Sequence, residues 1–247
     1  MFARLQEYLL PWAFAMAIHP NESFTKKEKL AQAEFMKILP TIRRKTRGPV
    51  VVAMVGLVGS GKSFIAQELA EGIGAVVLKG DAIRVELRKA EERYEGQSRI
   101  AENAAVEILR QGNNVVIDSD HIDAKKRASL RAKVKKHGLL FFVRTHADYD
   151  IMAGRTITAD YLNRPEDFFG GASTPWNGNE QSRGAVVKLR EMWRRTPHHY
   201  RWENKGGGRW ILRKLPFRVF ATIYTGNAGG WKQDVRNVVA RINRSTH

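Results

Sequence analysis

The strongest constraint on this chain is an apolar run that breaks into glycine. Residues 50–55 read VVVAMV, and residues 56–63 read Gly-Leu-Val-Gly-Ser-Gly-Lys-Ser. Six successive apolar residues, most of them β-branched, predict a strand buried on both faces, which requires a sheet covered by helices on either side. The following KSFIAQELAEGIG has helical apolar spacing and ends at a glycine.

Gly56 and Gly61 bracket four residues, and Lys62-Ser63 follow, which is the Walker A spacing. Glycines there let backbone amides turn inward around phosphate oxygens, while the next helix offers its positive end. Gly56, Gly59, Ser60, Gly61, Lys62 and Ser63 are therefore the candidate nucleotide-binding residues. Lys62 is placed to reach the β and γ phosphates, and Ser63 to give its hydroxyl oxygen to magnesium. ATP and Mg2+ are the expected cofactors. The bland alternative is a glycine-rich turn with no ligand.

Past this point strands and helices alternate. AVVLKG, NNVVIDSD and LLFFVRT read as strands; DAIRVELRKA, SRIAENAAVEILRQG and DAKKRASLRAKVKKHG read as helices. The expected fold is α/β: a three-layer sandwich with a five-stranded, mainly parallel sheet, of the P-loop NTPase type, carrying a helical N-terminal extension and a lid. After Asp148 come a helix, DYDIMAGRTI, and a long Gly/Pro/Asn-rich excursion, TADYLNRPEDFFGGASTPWNGN. Excursions of this length are uncommon unless functional or mobile. A helix, a hairpin around KGGG, a last core strand RVFATIYT and a final amphipathic helix complete the chain.

The N-terminal part reads as a helical extension over residues 1–48, ahead of a main domain over 49–247 with a lid and basic insertion at about 156–216. Thr25 and Glu28 have capping-box spacing, and Leu30, Ala33, Phe35 and Met36 sketch an apolar face. The apolar stretch 8–18 is shorter than the roughly 20 residues that span a bilayer, so no transmembrane segment and a cytoplasmic protein are expected. A helix lying on a membrane surface is the minority reading.

Charge narrows the partners. The 247 residues carry 42 Lys and Arg against 25 Asp and Glu, a formal net charge of +17. A balance this basic suits a nucleotide, a nucleic acid or another acidic partner, unless it reflects composition alone. With no cysteine, thiol catalysis and zinc-thiolate sites are excluded.

Three further signals bear on chemistry. In LKGDAIRVEL, Asp81 and Arg84 lie three apart at a helix start and share one face. The carboxyl end of a parallel strand faces the ligand crevice, so Asp81 belongs near the γ phosphate, where a hydroxyl acceptor needs a base. Asp118 ends the third strand and either orders magnesium or caps the next loop; Asp120 and His121 are weaker candidates. The segment 188–218 interleaves arginines with Trp193, Tyr200, Trp202 and Trp210. That pattern suits nucleic-acid contact by stacking and phosphate binding, or else the rings pack inward. The basic run KKRASLRAKVKK reads as an ordinary exposed helix face. His198 and His199 suggest no metal set.

No Asn-Lys-x-Asp tetrad for guanine and no Leu-Ser-Gly-Gly-Gln signature of transporters occur. The Gly-x-x-Gly-Ser-Gly-Lys-Ser loop, GDAIR after the second strand and NNVVIDS after a long helix resemble the small P-loop kinases grouped around polynucleotide 5′-hydroxyl kinase and the zeta toxins, over roughly residues 49–155. The resemblance implies that Asp81 takes the proton of the attacking hydroxyl and that Arg84 helps hold the acceptor. It also implies a lid arginine, Arg155 or Arg164, on the transferred phosphate. The sequence departs from that pattern in two places: residues 1–48 have no counterpart in it, and residues 176–216 are unusually basic and aromatic; either is a candidate seat of substrate specificity. The expected function is an ATP-dependent phosphotransferase acting on a nucleic-acid 5′ end or a nucleotide-like small molecule. The alternatives are a nucleotide-sugar kinase like the zeta toxins and a nucleic-acid-binding ATPase switched by nucleotide.

Overall fold

The computed structural model describes residues 24–159 and 180–246. At its centre is a five-stranded sheet. Its strands are β1 (Val50–Val55), β2 (Ala75–Lys79), β3 (Asn114–Asp118), β4 (Leu139–His146) and β7 (Ala221–Tyr224). Their order is β2-β3-β1-β4-β7, and every pairing is parallel. All carboxyl ends therefore open on one side, where ligands bind in sheets of this kind.

The apolar run resolves into two faces because strand side chains alternate. Val51, Ala53 and Val55 pack into one core with Ile83, Ile100, Ala104 and Leu130. Val50, Val52 and Met54 pack into another with Ile65, Leu69, Val238 and Ile242. The first face is covered by α1 (Lys26–Lys37), α3 (Gly80–Lys89), α4 (Gln97–Arg110) and α5 (Ala124–Val134), the second by α2 (Lys62–Ile73) and α8 (Trp231–Ser245). The sheet is thus the filling of a three-layer sandwich, the fold of P-loop NTPases.

Helix α1 opens with the capping box: Thr25 Oγ1 accepts from the Glu28 amide at 3.0 Å, and Glu28 accepts from the Thr25 amide at 2.9 Å. Its buried face is narrower than the sequence suggests. Ala31 and Phe35 are buried, but Leu30 is 54% exposed, because the helix lies against α3 and α4 along one edge only. The basic segment after it is fastened to the body. Thr46 and the buried Asn114 exchange hydrogen bonds, and Asn114 also accepts from the Val50 amide at 3.0 Å, which pins the start of β1.

Beyond β4 come α6 (Tyr149–Thr158), α7 (Glu180–His199) and an antiparallel hairpin of β5 (Tyr200–Glu203) and β6 (Arg209–Leu212). A third core of Leu57, Ala147, Met152, Met192 and Tyr200 ties α6, α7 and the hairpin to the loop after β1. The first expected N-terminal helix, the excursion at 160–179 and Arg164 lie outside the described residues. Among the described residues no helix is long and apolar enough to cross a membrane.

Candidate active site

The loop between β1 and α2 wraps as its spacing predicts. Gly59 has φ +78°, and a Cβ there would stand 2.4 Å from the Met152 carbonyl oxygen. A Cβ on Gly56 would meet Thr145 Oγ1 and Ser60 Oγ at 2.6 Å. Side chains are therefore excluded at both positions, by backbone conformation at the first and by close approach at the second. Ser60 is fully buried and faces inward: its hydroxyl lies 2.9 Å from that of Thr145, and its carbonyl accepts from Thr225 Oγ1 at 3.2 Å. Among the described residues, the amides of Val58, Gly59, Gly61, Lys62 and Ser63 have no acceptor. Five N–H groups in one turn at the mouth of a helix form an anion cradle.

Lys62 lies at the start of α2, with its ammonium donating to the Leu57 carbonyl at 3.0 Å. Burial pushes its pKa down, while Asp120 and Asp118 pull the other way. Ser63 is exposed beside it. Asp118 is half-buried at the end of β3, where it pairs with Lys79 in the sheet; among the described residues its carboxylate has no hydrogen-bond partner, so its side-chain oxygens are available to a cation. The donor set of one hydroxyl, one carboxylate and substrate phosphates suits Mg2+. No group of three or more His, Asp or Glu gathers as a metal site among the described residues.

Asp120, rated below Asp118 from the sequence, is the hub of the site. It is 5% exposed and accepts from the Gly56 amide at 3.1 Å and from His199 Nε2 at 3.0 Å. Arg195 Nη1 lies 3.5 Å away. Burial pushes its pKa up, but His199, Lys62 and the Gly56 amide outweigh that and hold it well below the carboxylate range. His121 is structural. It is buried, its Nδ1–H pointing at the carbonyls of Met54 (3.1 Å) and Ser119 (2.9 Å), and burial lowers its pKa.

Asp81 sits in the first turn of α3. Arg84 Nη1 donates to its Oδ1 at 2.7 Å, and Lys188 Nζ lies 3.4 Å from its Oδ2. Burial raises its pKa, yet Lys188 and Arg84 together more than reverse this, so the carboxyl titrates below its ordinary 3.8. A line of charges then runs along α7. Lys188 also meets Glu191 at 3.7 Å, Glu191 meets Arg195 at 3.2 Å, and Arg195 meets Asp120. Asp81 is thereby linked to the first glycine of the loop through side chains in contact.

These α7 residues are the part that sequence reasoning missed. Lys188, Glu191, Arg195 and His199 recur at three- and four-residue steps, and a charged stripe on one helical face was the available signal. Arg155 is exposed on α6, its guanidinium donating to the Gly59 carbonyl at 3.3 Å, to Thr225 Oγ1 at 3.0 Å and to the Thr225 carbonyl at 2.6 Å. It braces the rim of the loop.

Two expectations for the basic segments are corrected. Tyr200 is not a stacking surface: it is 3% exposed, with its hydroxyl donating to the Ala147 carbonyl at 2.9 Å. Trp193 and Trp202 do face outward, at 68% and 51% exposed, against Trp210. Helix α5 is not simply a solvated face either. Arg127 and Lys133 are buried, and Lys133 pairs with Glu102 at 2.9 Å.

A family model described as "AAA domain" matches residues 51–156, the stretch holding the loop, Asp81, Asp118 and Arg155. No protein of curated function matches the sequence. Among solved structures, a protein named APE1195 aligns at TM-score 0.52 and 18% identity, over 81% of this chain and 98% of its own. The APS kinase of Mycobacterium tuberculosis aligns at 0.47 and 17%, over 78% and 96%. A gluconokinase from Sinorhizobium meliloti aligns at 0.39 and 18%, over 83% and 95%. At 18% identity the likeness to APE1195 is one of fold, and it agrees with the strand order and the glycine loop: the chain has a P-loop NTPase fold.

Proposed function

We propose that the protein is an ATP-dependent phosphotransferase that moves the γ-phosphate to an alcohol. The single observation that carries this reading is the unbroken line of contacts from Asp81 through Lys188, Glu191, Arg195 and Asp120 to the Gly56 amide. It links an ionised carboxylate to the phosphate cradle on the side where strand ends open. A nucleotide switch needs the cradle alone; a kinase needs a group beside it to receive a proton.

In this reading the free amides of Val58, Gly59, Gly61, Lys62 and Ser63, with the Lys62 ammonium, hold the triphosphate; Ser63 and Asp118 would hold Mg2+, which would supply positive charge to the transferring group. The acceptor oxygen forms its bond to the γ phosphorus as the bond to the β–γ bridging oxygen breaks. The hydroxyl proton passes to Asp81, and ADP leaves. Transfer of this kind depends mainly on positioning and electrostatics, so a carboxylate held below the ordinary range still serves, as an acceptor of the proton late in the reaction. Arg84 and Lys188 keep Asp81 ionised and oriented. Arg155 stiffens the loop at Gly59 and is the candidate to move onto the phosphate when the site closes.

Incubation with γ-labelled ATP and paired panels of alcohols, nucleosides, nucleotide-sugars and 5′-hydroxyl oligonucleotides tests the reading. Label appearing on an acceptor supports it. Hydrolysis alone, at the same rate with and without every acceptor, favours the switch.

A further inference from the structure

Between α5 and α7, next to the P-loop, lies a cleft of about 480 Å3. Lys126 enters it from α5; Arg194, Arg195 and His198 enter from the last turns of α7; Asp120 and Asp123 supply its acids. Both acids are already engaged. Asp120 is bound to Gly56, His199 and Arg195, and Asp123 caps α5 by accepting from the Lys126 amide at 2.9 Å. Lys126, Arg194 and His198 form no ion pair with any described residue. Among the described residues the cleft therefore presents two cationic side chains, Lys126 and Arg194, that are held in no ion pair.

We propose that this cleft binds a phosphate group carried by the acceptor, so that the substrate is a small phosphorylated alcohol. The proposal rests on the kinase reading and names its substrate class. Three features favour a compact dianion. An arginine fork and a lysine ammonium together present more donors than a single carboxylate accepts, whereas a phosphomonoester offers three strong acceptor oxygens. Burial, and next Arg195, push the Lys126 pKa down, a strain that a bound dianion relieves. The volume lies within the roughly 300–1,000 Å3 of small-molecule sites, too small for a duplex end.

The placement fits the chemistry. Arg195 belongs both to the cleft and to the line of contacts that ends at Asp81. A molecule anchored by its phosphate on Lys126 and Arg194 would lie beside Arg195, the member of the α7 stripe that the cleft shares, with its hydroxyl free to extend along the stripe toward Asp81. Lys126, an exception to the exposed-face expectation for α5, acquires a role here.

The test is calorimetric, with inorganic phosphate as the probe, at constant ionic strength, on protein saturated with Mg2+ and the non-hydrolysable analogue AMPPNP so that the P-loop is filled. Phosphate is expected to bind, and acetate to bind at least about tenfold more weakly. Lys126→Ala and Arg194→Ala should each weaken phosphate by about tenfold, the effect of one charge-assisted contact, with AMPPNP affinity and melting temperature unchanged. Binding lost once AMPPNP is added, variants equal to wild type, or acetate equal to phosphate would each overturn the proposal. A 5′-hydroxyl dodecanucleotide should bind with an affinity indifferent to Lys126→Ala; a tenfold loss there would move the assignment to nucleic acid and overturn it. Failure of AMPPNP itself to bind would sink the kinase reading separately. The phosphate titration is then read on Lys62→Ala, where retention supports the cleft and loss overturns it.

Discussion

The P-loop and α7 meet at Asp120 and are built in opposite ways. The loop presents backbone: five amides, with glycines where side chains cannot fit, on the end of a strand buried on both faces. Helix α7 presents side chains: Lys188, Glu191, Arg195 and His199, each in contact with a charged partner. Backbone amides are fixed by the fold and select any polyphosphate. Side chains on a helix stripe depend on their partners instead: Lys188, Glu191 and Arg195 are held by the charges they meet, and His199 is buried against Asp120.

The comparison breaks most sharply at Asp81. Replacing it with Asn should cut phosphoryl transfer by about 10²–10⁴-fold, the worth of a positioned general base, and leave ATP affinity within about twofold. Single-turnover transfer and a separate binding titration read the two quantities independently. Lys62→Ala acts on the loop side. It should lower transfer by about 10²–10³-fold through lost charge stabilisation and weaken ATP as well, the opposite pattern to Asp81→Asn in the binding column.

Asp120 belongs to both regions, so its loss should appear first as instability. Asp120→Asn leaves Arg195 and Lys62 facing an uncharged amide and should cost about 3 kcal/mol in a denaturant titration. The pH dependence has a definite sign. The Asp120 pKa is depressed below its ordinary 3.8 in the folded protein, so its contribution is complete above that value and fades as pH falls below it. The gap between wild type and Asp120→Asn should hold steady from pH 7 to 5 and narrow below pH 4. Gly59→Ala should cost about 1–3 kcal/mol, through a left-handed backbone and the Met152 carbonyl. The smallest effect is expected at Trp193. Trp193→Ala should change stability by no more than about 0.5 kcal/mol and transfer to a small alcohol by less than twofold. A larger loss in transfer would bring the aromatic face that α7 shares with the hairpin into the substrate site.

The glycine loop, the strands around it and the position of Asp81 in the first turn of α3 were legible in the sequence because each is encoded by neighbours in the chain. Apolar runs, helix periodicity and a fixed motif spacing are local signals. Asp120 was undervalued because its importance comes from the Gly56 amide and from His199, 64 and 79 residues away. No local pattern carries such contacts. The α7 stripe was readable as spacing but not as direction, since only the packing of Met192 and Tyr200 into the third core turns that face toward the loop. Leu30 and Tyr200 were misplaced for the same reason. An apolar or aromatic residue reveals its preference for burial, and tertiary packing decides which ones achieve it.

The most direct measurement is a crystal structure of the protein with Mg2+ and AMPPNP. The account predicts the β and γ phosphates within about 3 Å of the amides of Gly59, Gly61, Lys62 and Ser63 and of Lys62 Nζ, with the γ phosphate facing Asp81 across the cleft side of α7. A nucleotide bound elsewhere, or a γ phosphate turned away from Asp81 with Arg84 and Lys188 still closed over it, would contradict it.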